Sequence, residues 1–411
     1  MTAVADTPAA ARRARAREAG ARAQGGWLDR PLTSYYLVVG SASLLVALGL
    51  IMVLSASSVQ SYASSGSSFS IVAKQAMWVA IGLPIMVFAA RMPVRFYRAL
   101  GYPLMIISIV GLMAVLVPHI GVTVNGARRW IDLPAGIQIQ PSEPAKLALV
   151  LWGADLLARK EKLLDDWRHL VMPLVPVSLL LGGLLMLEPD MGTTIVLMTV
   201  MLALLWVVGA PARIFGFTFG GLGGALGVLA VAEPYRLARL TSFTNPFADP
   251  LGAGYQAVQG IYALASGGWW GLGLGASREK WAYLPNQYTD YIFAIIGEEL
   301  GLIGAFVVLL LFGLLGYGGL RIARRATDRF SQLAAAAVTA WLLSQAIVNI
   351  GYVVGVLPVT GIPLPMVSFG GSAMVPTLFA IGMLASFARA EPGAAEALAA
   401  RPGLLRRRSR R

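Results

Sequence analysis

Residues 290–325 read DYIFAIIGEELGLIGAFVVLLLFGLLGYGGLRIARR, and this stretch decides the fold. No charged residue interrupts the run between Glu299 and Arg321. A helix needs about 20 apolar residues to cross the hydrocarbon core of a bilayer. This one qualifies, with acids at one end and arginines at the other. Nine further segments read the same way: 35–55, 71–90, 99–118, 143–158, 170–187, 191–208, 212–232, 333–353 and 372–389. The segment 143–158 is marginal, because it opens on Glu143 and Lys146.

Composition agrees. Of 411 residues, 57% are hydrophobic and 13% charged, and the mean hydropathy is +0.69. A soluble domain carries about 25% charged residues, whereas charge at the centre of a bilayer is costly. The net charge of +13 lies in short clusters between apolar runs and in two tails, 1–30 and 391–411. It lacks the aromatic interleaving of a nucleic-acid platform, so nucleic acid is not an expected partner. Without cysteine, and with only His119 and His169, a thiolate or histidine metal centre is not expected either.

Basic residues set the orientation. With the N-terminus inside, 25 of the 33 Lys and Arg residues fall on cytoplasmic segments. The expected fold is therefore an all-α polytopic membrane protein with ten transmembrane helices and both termini cytoplasmic. A large extracellular loop, 233–289, lies between helices 7 and 8. The organisation is a basic cytosolic tail (1–30), a ten-helix membrane domain (31–390) and a second basic tail (391–411). The first tail is expected to be disordered and the first span uncleaved. The long loop carries Trp269, Trp270 and Trp281, whose natural level is the headgroup region.

Six motifs fall on the outer side. Asn125-Gly126 is a turn that presents Arg128, Arg129 and Trp130; the guanidiniums suit phosphate oxygens, or the set anchors the membrane interface. Ser142-Glu143-Pro144 starts a helix, with Ser142 as a natural N-cap. That leaves Lys146 one turn down in an apolar span, where it needs either a carboxylate partner or an anionic substrate. Glu188-Pro189-Asp190 is a turn whose Asp190 can cap the next helix or complete a charged cavity. Residues 266–275, SGGWWGLGLG, are read as close-packed irregular backbone. Asp290 stands at the start of a span, as a cap or a functional acid, with Glu298 roughly 12 Å deeper along the same helix. Finally, the prolines and glycines of 355–372 forbid one continuous helix, so this segment is expected to re-enter the outer cleft, faced by Gln345 and Asn349.

The ordered set NGARRWI, QPSEPAKL, EPDMG, FADPLGAGYQ, LPNQYTDYIFAIIGEELG and LPVTGIPLPMVSFGGS resembles the SEDS family (shape, elongation, division and sporulation) of peptidoglycan glycosyltransferases, most closely its division branch. The likeness runs from about residue 35 to 390. It implies an enzyme of the cytoplasmic membrane, at the division septum, that polymerises lipid II into glycan strands and releases undecaprenyl pyrophosphate. It also implies a class B penicillin-binding protein and other division proteins as partners. Carried over by motif, the catalytic aspartate falls on Asp290. The family's other charged positions fall on Arg128, Arg129, Glu143, Lys146, Asp190, Glu298 and Glu299, and all but Glu299 are taken as substrate-binding. A divalent cation, Mg or Mn, would assist the leaving pyrophosphate, with no ligands readable. Asn286 and Tyr288 stand where the family has an acid and a histidine, which leaves Asp290 as the proton acceptor of that loop. The competing readings are a lipid II flippase, which would enlist Lys74 and Asp155, an elongation polymerase, and an inert division scaffold.

Overall fold

In lipid, a chain must satisfy its peptide groups internally, and an apolar run does so by coiling into a helix. The computed structural model describes residues 30–399 apart from 125–126, 135–136, 219, 222–223, 225–242 and 253. The helices are α1 (Thr33–Ser65), α2 (Ser70–Ala89), α3 (Val94–Leu116), α4 (Ser142–Arg159), α5 (Trp167–Val171), α6 (Leu174–Leu187), α7 (Met191–Val208), α8 (Tyr255–Gly267), α9 (Ile292–Arg325), α10 (Arg329–Val353), α11 (Met374–Arg389) and α12 (Ala394–Ala399). Among the described residues, eight helical segments are long and apolar enough to cross a membrane. The expected fourth span, α4, falls outside that class because it carries Glu143, Lys146, Asp155 and Arg159, yet it is buried along nearly its whole length. Most of the expected span at 212–232, and the tails 1–29 and 400–411, lie outside the described residues.

The expectation of an all-α chain needs correction. A three-stranded antiparallel sheet, β1 (Gly121–Val124), β2 (Ala127–Leu133) and β3 (Ile137–Ile139), sits between α3 and α4. Val124 pairs with Ala127 where β1 and β2 meet, and the expected Asn125-Gly126 turn lies outside the described residues. Asn-Gly between β-branched and aromatic runs is the strongest short-range hairpin signal, and here it outweighs the helical surroundings.

Two helices are interrupted, and the interruptions shape one end of the bundle. Backbone between α10 and α11 is irregular from 354 to 370. Met366 and Val367 pack against Gly49, midway along α1, at a separation that admits no Cβ. The segment thus dips into the bundle, as a re-entrant piece does. The second interruption is at Gly301, whose φ of 68° and ψ of −166° break α9 after its first turns. This corrects the reading of the span as one continuous helix, while Glu298 itself lies on the unbroken turns before the break. The break exposes the amides of Leu302 and Ile303 and the carbonyls of Glu298 and Glu299. All four are taken by loop residues 268–273: Leu302 and Ile303 donate to the carbonyls of Gly268 and Trp269, while Leu272 and Gly273 donate to those of Glu298 and Glu299. The glycine-rich stretch is the close-packed backbone its sequence implies.

At the opposite end, Arg321 donates to Ser34 at 2.8 Å and Arg325 pairs with Glu391 at 3.1 Å. The start of α1 and the residues after α11 therefore meet at one end, as an even number of crossings requires. Asp155, fully buried, is held there by Arg98 and Arg159, both at 2.7 Å. Lys74 is exposed on α2.

Gly301→Ala should undock the loop, because a Cβ there overlaps the Gly271 amide and the Trp269 carbonyl. The expected outcome is normal membrane insertion with faster tryptic cleavage after Arg278. Unchanged protection of Arg278 would show that the break does not hold the loop.

Candidate active site

Four residues of the re-entrant segment, Thr360–Pro363, lie against two of the sequence motifs, the turn before α7 and Asp290, and against polar side chains of α10. Buried irregular backbone has no ladder partner, so side chains must supply its hydrogen bonds. From α10, Asn349 and Tyr352 donate to the Ile362 carbonyl at 2.8 and 2.7 Å. The same two side chains donate to the Asp290 carbonyl, each at 2.9 Å. Gln345 donates to the Pro363 carbonyl at 3.0 Å.

Asp290 is half-buried and stands one residue before the N-cap position of α9, Tyr291. Its carboxylate faces Gly361, where a Cβ would lie 3.5 Å from Oδ2. Gly361 has φ 72°, a left-handed conformation that glycine adopts at no steric cost. Tyr288 stacks edge-on against Phe369 with centroids 5.8 Å apart, and burial raises its phenol above the ordinary range. It stays protonated at neutral pH.

On the other side of Thr360–Pro363 lies the turn before α7. Gly192 packs so closely against Thr360 and Ile362 that a Cβ would overlap Ile362. Asp190 caps α7, accepting from the Thr193 amide at 3.1 Å and from its hydroxyl at 2.8 Å. Gln140 adds a third donor at 3.3 Å. Arg129 reaches this turn from β2, donating to the carbonyls of Glu188 (3.1 Å) and Pro189, with Asp190 Oδ1 at 3.8 Å. Arg128 does not join it. Successive strand residues face opposite ways, and Arg128 leans back to the Leu116 carbonyl at 3.4 Å. The paired-arginine reading is thereby corrected to a single arginine at this turn.

Glu143 and Lys146 form a buried ion pair at 2.8 Å. The ammonium also bonds Gln345 at 3.1 Å and lies 5.3 Å from the centroid of the Trp341 ring. Here Lys146 contacts the re-entrant segment only through Gln345. Ser142 is not the expected N-cap; that position is Pro141, and the Ser142 hydroxyl is buried without a hydrogen bond. Glu298 and Glu299 turn away from Asp290. Glu298 accepts from Ser277 Oγ and the Arg278 amide at 2.5 and 2.9 Å, and Glu299 accepts from Ser55 at 2.7 Å. They fasten the loop to α9 and α1.

Sequence reasoning missed Tyr352, Ser55 and Ser277, none of which stands out within an apolar or serine-rich run. It also missed Gly361, whose role depends on a left-handed backbone. Among the described residues, no three acidic or histidine side chains gather as a cation site.

The helical bundle, its re-entrant segment and this polar end define a polytopic membrane protein with a built site at one face. The family model described as "Cell cycle protein", FtsW/RodA/SpoVE, matches residues 35–392. The chain belongs to that family. It is 48% identical over 376 residues to a probable peptidoglycan glycosyltransferase FtsW of Mycobacterium tuberculosis, covering 92% of this chain and 72% of that protein. It is 40% identical over 355 residues to the stage V sporulation protein E of Bacillus subtilis, covering 86% and 96%. Among solved structures, it resembles a chain of a peptidoglycan synthase complex that coordinates polymerization and crosslinking. That match has a TM-score of 0.71 and 27% identity, covering 86% of this chain and 97% of that one. It also resembles the rod shape determining protein RodA of Thermus thermophilus, with a TM-score of 0.64 and 26% identity over 87% and 97%.

Lys146→Met should strand Glu143 in the core and cost about 3–5 kcal/mol, the usual penalty for removing one partner of a buried pair. Thermal melting in detergent should show a large loss, much of it recovered in the Glu143→Gln/Lys146→Met double variant. A near-normal melting point for Lys146→Met would return the lysine to a substrate-contacting role.

Proposed function

We propose that this chain is a peptidoglycan glycosyltransferase that polymerises lipid II at the outer face of the cytoplasmic membrane, for septal synthesis in division. One observation carries this reading: the Asp290 carboxylate is held against Gly361 on the same four-residue segment that abuts the Asp190–Arg129 turn. A proton acceptor and an anion-binding arginine thus flank one piece of broken backbone. In this reading the site end is outside, ten helices cross the membrane, both termini are cytoplasmic and residues 233–289 form the outer loop.

The chemistry assigns roles to the residues present. Asp290 takes the proton from the acceptor sugar's hydroxyl as that oxygen attacks the anomeric carbon of the donor. The α-linked donor is inverted to a β-linked glycan in one displacement, with no covalent enzyme intermediate. Arg129, part-exposed and with guanidinium hydrogens to spare, stabilises the departing pyrophosphate. Arg128, on the opposite face of β2, is available to a more distant part of the lipid-linked substrate. Glu143 and Lys146 hold the floor in place through Gln345 and Pro363, and Glu298 positions the loop above it. Among the described residues the acids do not gather as a ligand set, so no step is assigned to a divalent cation.

A class B penicillin-binding protein is the expected partner, since a polymerised strand must be crosslinked; the likeness to a synthase complex supports this. Other division proteins would bring the pair to the septum. The 48% identity to a division relative, against 26% to a rod-shape protein, favours septal synthesis over elongation. A flippase would need charged residues along a path, whereas Asp155 is consumed by two arginines.

Asp290→Asn keeps the side chain's size while removing its basicity. Purified variant given labelled lipid II should lose polymerisation by about 10²–10⁴-fold, with normal insertion and partner binding. Asp290→Glu should retain part of the activity. Near wild-type polymerisation by Asp290→Asn would refute the assignment of the base.

A further inference from the structure

Glu188 is a carboxyl that the mechanism above leaves unused, and its surroundings are unusual. It lies in the turn between α6 and α7, is fully buried, and neither side-chain oxygen has a hydrogen-bond partner. An ionised carboxylate held that way would bear the full cost of desolvation. The charged groups acting on it are Asp190, two residues along its own turn, and Arg129, from β2. Asp190 is well served: Thr193 and Gln140 donate to it, and Arg129 Nη1 approaches it. Arg129, in turn, is anchored on the backbone carbonyls of Glu188 and Pro189 rather than on the Glu188 side chain.

We infer that Glu188 is a positioning residue that carries a proton while an anionic phosphate ligand occupies Arg129, and that losing this proton turns the pocket against such ligands. This inference rests on the proposed role of Arg129 toward pyrophosphate. With Glu188 neutral, Arg129 and Asp190 cancel, and the free edge of the guanidinium can receive phosphate oxygens. With Glu188 ionised, two carboxylates face one arginine and the pocket bears a net negative charge, which draws in the guanidinium and repels the ligand.

The electrostatics agree in direction. Burial, then the neighbouring Asp190 carboxylate, push the Glu188 carboxyl up to about 8, with Arg129 pulling it down. The folded value is raised, so the group is neutral at pH 7 and ionises as pH rises through that value. By reciprocity, an anion bound at Arg129 must make Glu188 hold its proton more tightly. Glutamine is the isostere of the neutral acid. In the proposed state, E188Q mimics the wild type at neutral pH and cannot change charge above it.

Two measurements decide the matter. In the first, the KM for lipid II of purified wild type should rise about tenfold between neutral pH and roughly one unit above the titration of Glu188, whereas E188Q stays flat. Ionisation of lipid II itself is common to both proteins and cancels in the comparison. Parallel profiles would overturn the inference. The second needs no turnover. The infrared carboxyl band, taken as wild type minus E188Q, is titrated with and without inorganic pyrophosphate. A protonated band at neutral pH that persists to higher pH with pyrophosphate supports the inference. A Glu188 ionised at neutral pH, or a titration indifferent to pyrophosphate, refutes it. Should wild type fail to polymerise lipid II, the proposed function falls, and the infrared titration still judges Glu188.

Discussion

Asn349 and Tyr352 of α10 direct their donors at two carbonyls, those of Ile362 and Asp290. Much of the site depends on this small network. Backbone that leaves the helix inside a membrane protein loses its own hydrogen bonds and finds no water to replace them. Residues 354–370 are such backbone, and they descend to the middle of α1. The network, with Gln345 on Pro363 and Gln75 on the Ser368 carbonyl, supplies what the helix would have supplied. By binding the Asp290 carbonyl as well, it fixes the loop carrying the acid to the segment the acid faces. A displacement of either piece would break hydrogen bonds in both.

The charged residues then divide by what holds them. Glu143 with Lys146, Asp155 with Arg98 and Arg159, and Glu391 with Arg325 have partners whose distances account for them. Glu298 and Glu299 are consumed by backbone amides and serine hydroxyls. Such groups are expensive to bury and cheap to keep once paired, and they do not need a substrate to explain them. Arg129, part-exposed at the turn before α7, is different: its guanidinium keeps an edge open to solvent. Burial alone would not distinguish the sets, since Lys146 is fully buried yet paired with Glu143 and Gln345.

The legible part of the fold was whatever depends on composition along one segment. Apolar runs gave the helices, and the prolines and glycines of 355–372 the break between α10 and α11. The two polar side chains expected to face that break, Gln345 and Asn349, do face it. What stayed hidden depends on geometry between segments. The straight reading of α9 failed because nothing in Glu298-Glu299-Leu300-Gly301 marks a bend until Gly271 and Trp269 are seen to fill it. The two arginines were read as neighbours because adjacency in sequence looks like adjacency in space, and a strand reverses that. Asn125-Gly126 is legible as a turn, but the flanking strands are not, because the surrounding helices dominate the pattern.

The placement of the irregular pieces follows from the proposed chemistry. A lipid-linked sugar presents its pyrophosphate at the membrane surface, where a site must be polar yet shielded from bulk water. Uninterrupted helices would offer only side chains there, on a uniformly spaced surface. The re-entrant segment, the break in α9 and the β-hairpin instead bring backbone carbonyls, a left-handed glycine and an arginine on a strand to one end of the bundle. Each costs hydrogen bonds that must be restored: the loop 268–273 does so for the break in α9, and Gln345, Asn349 and Tyr352 along α10 do so for the re-entrant segment. On this account α10, which contributes no reacting group, is as necessary to the site as the helix that Asp290 precedes.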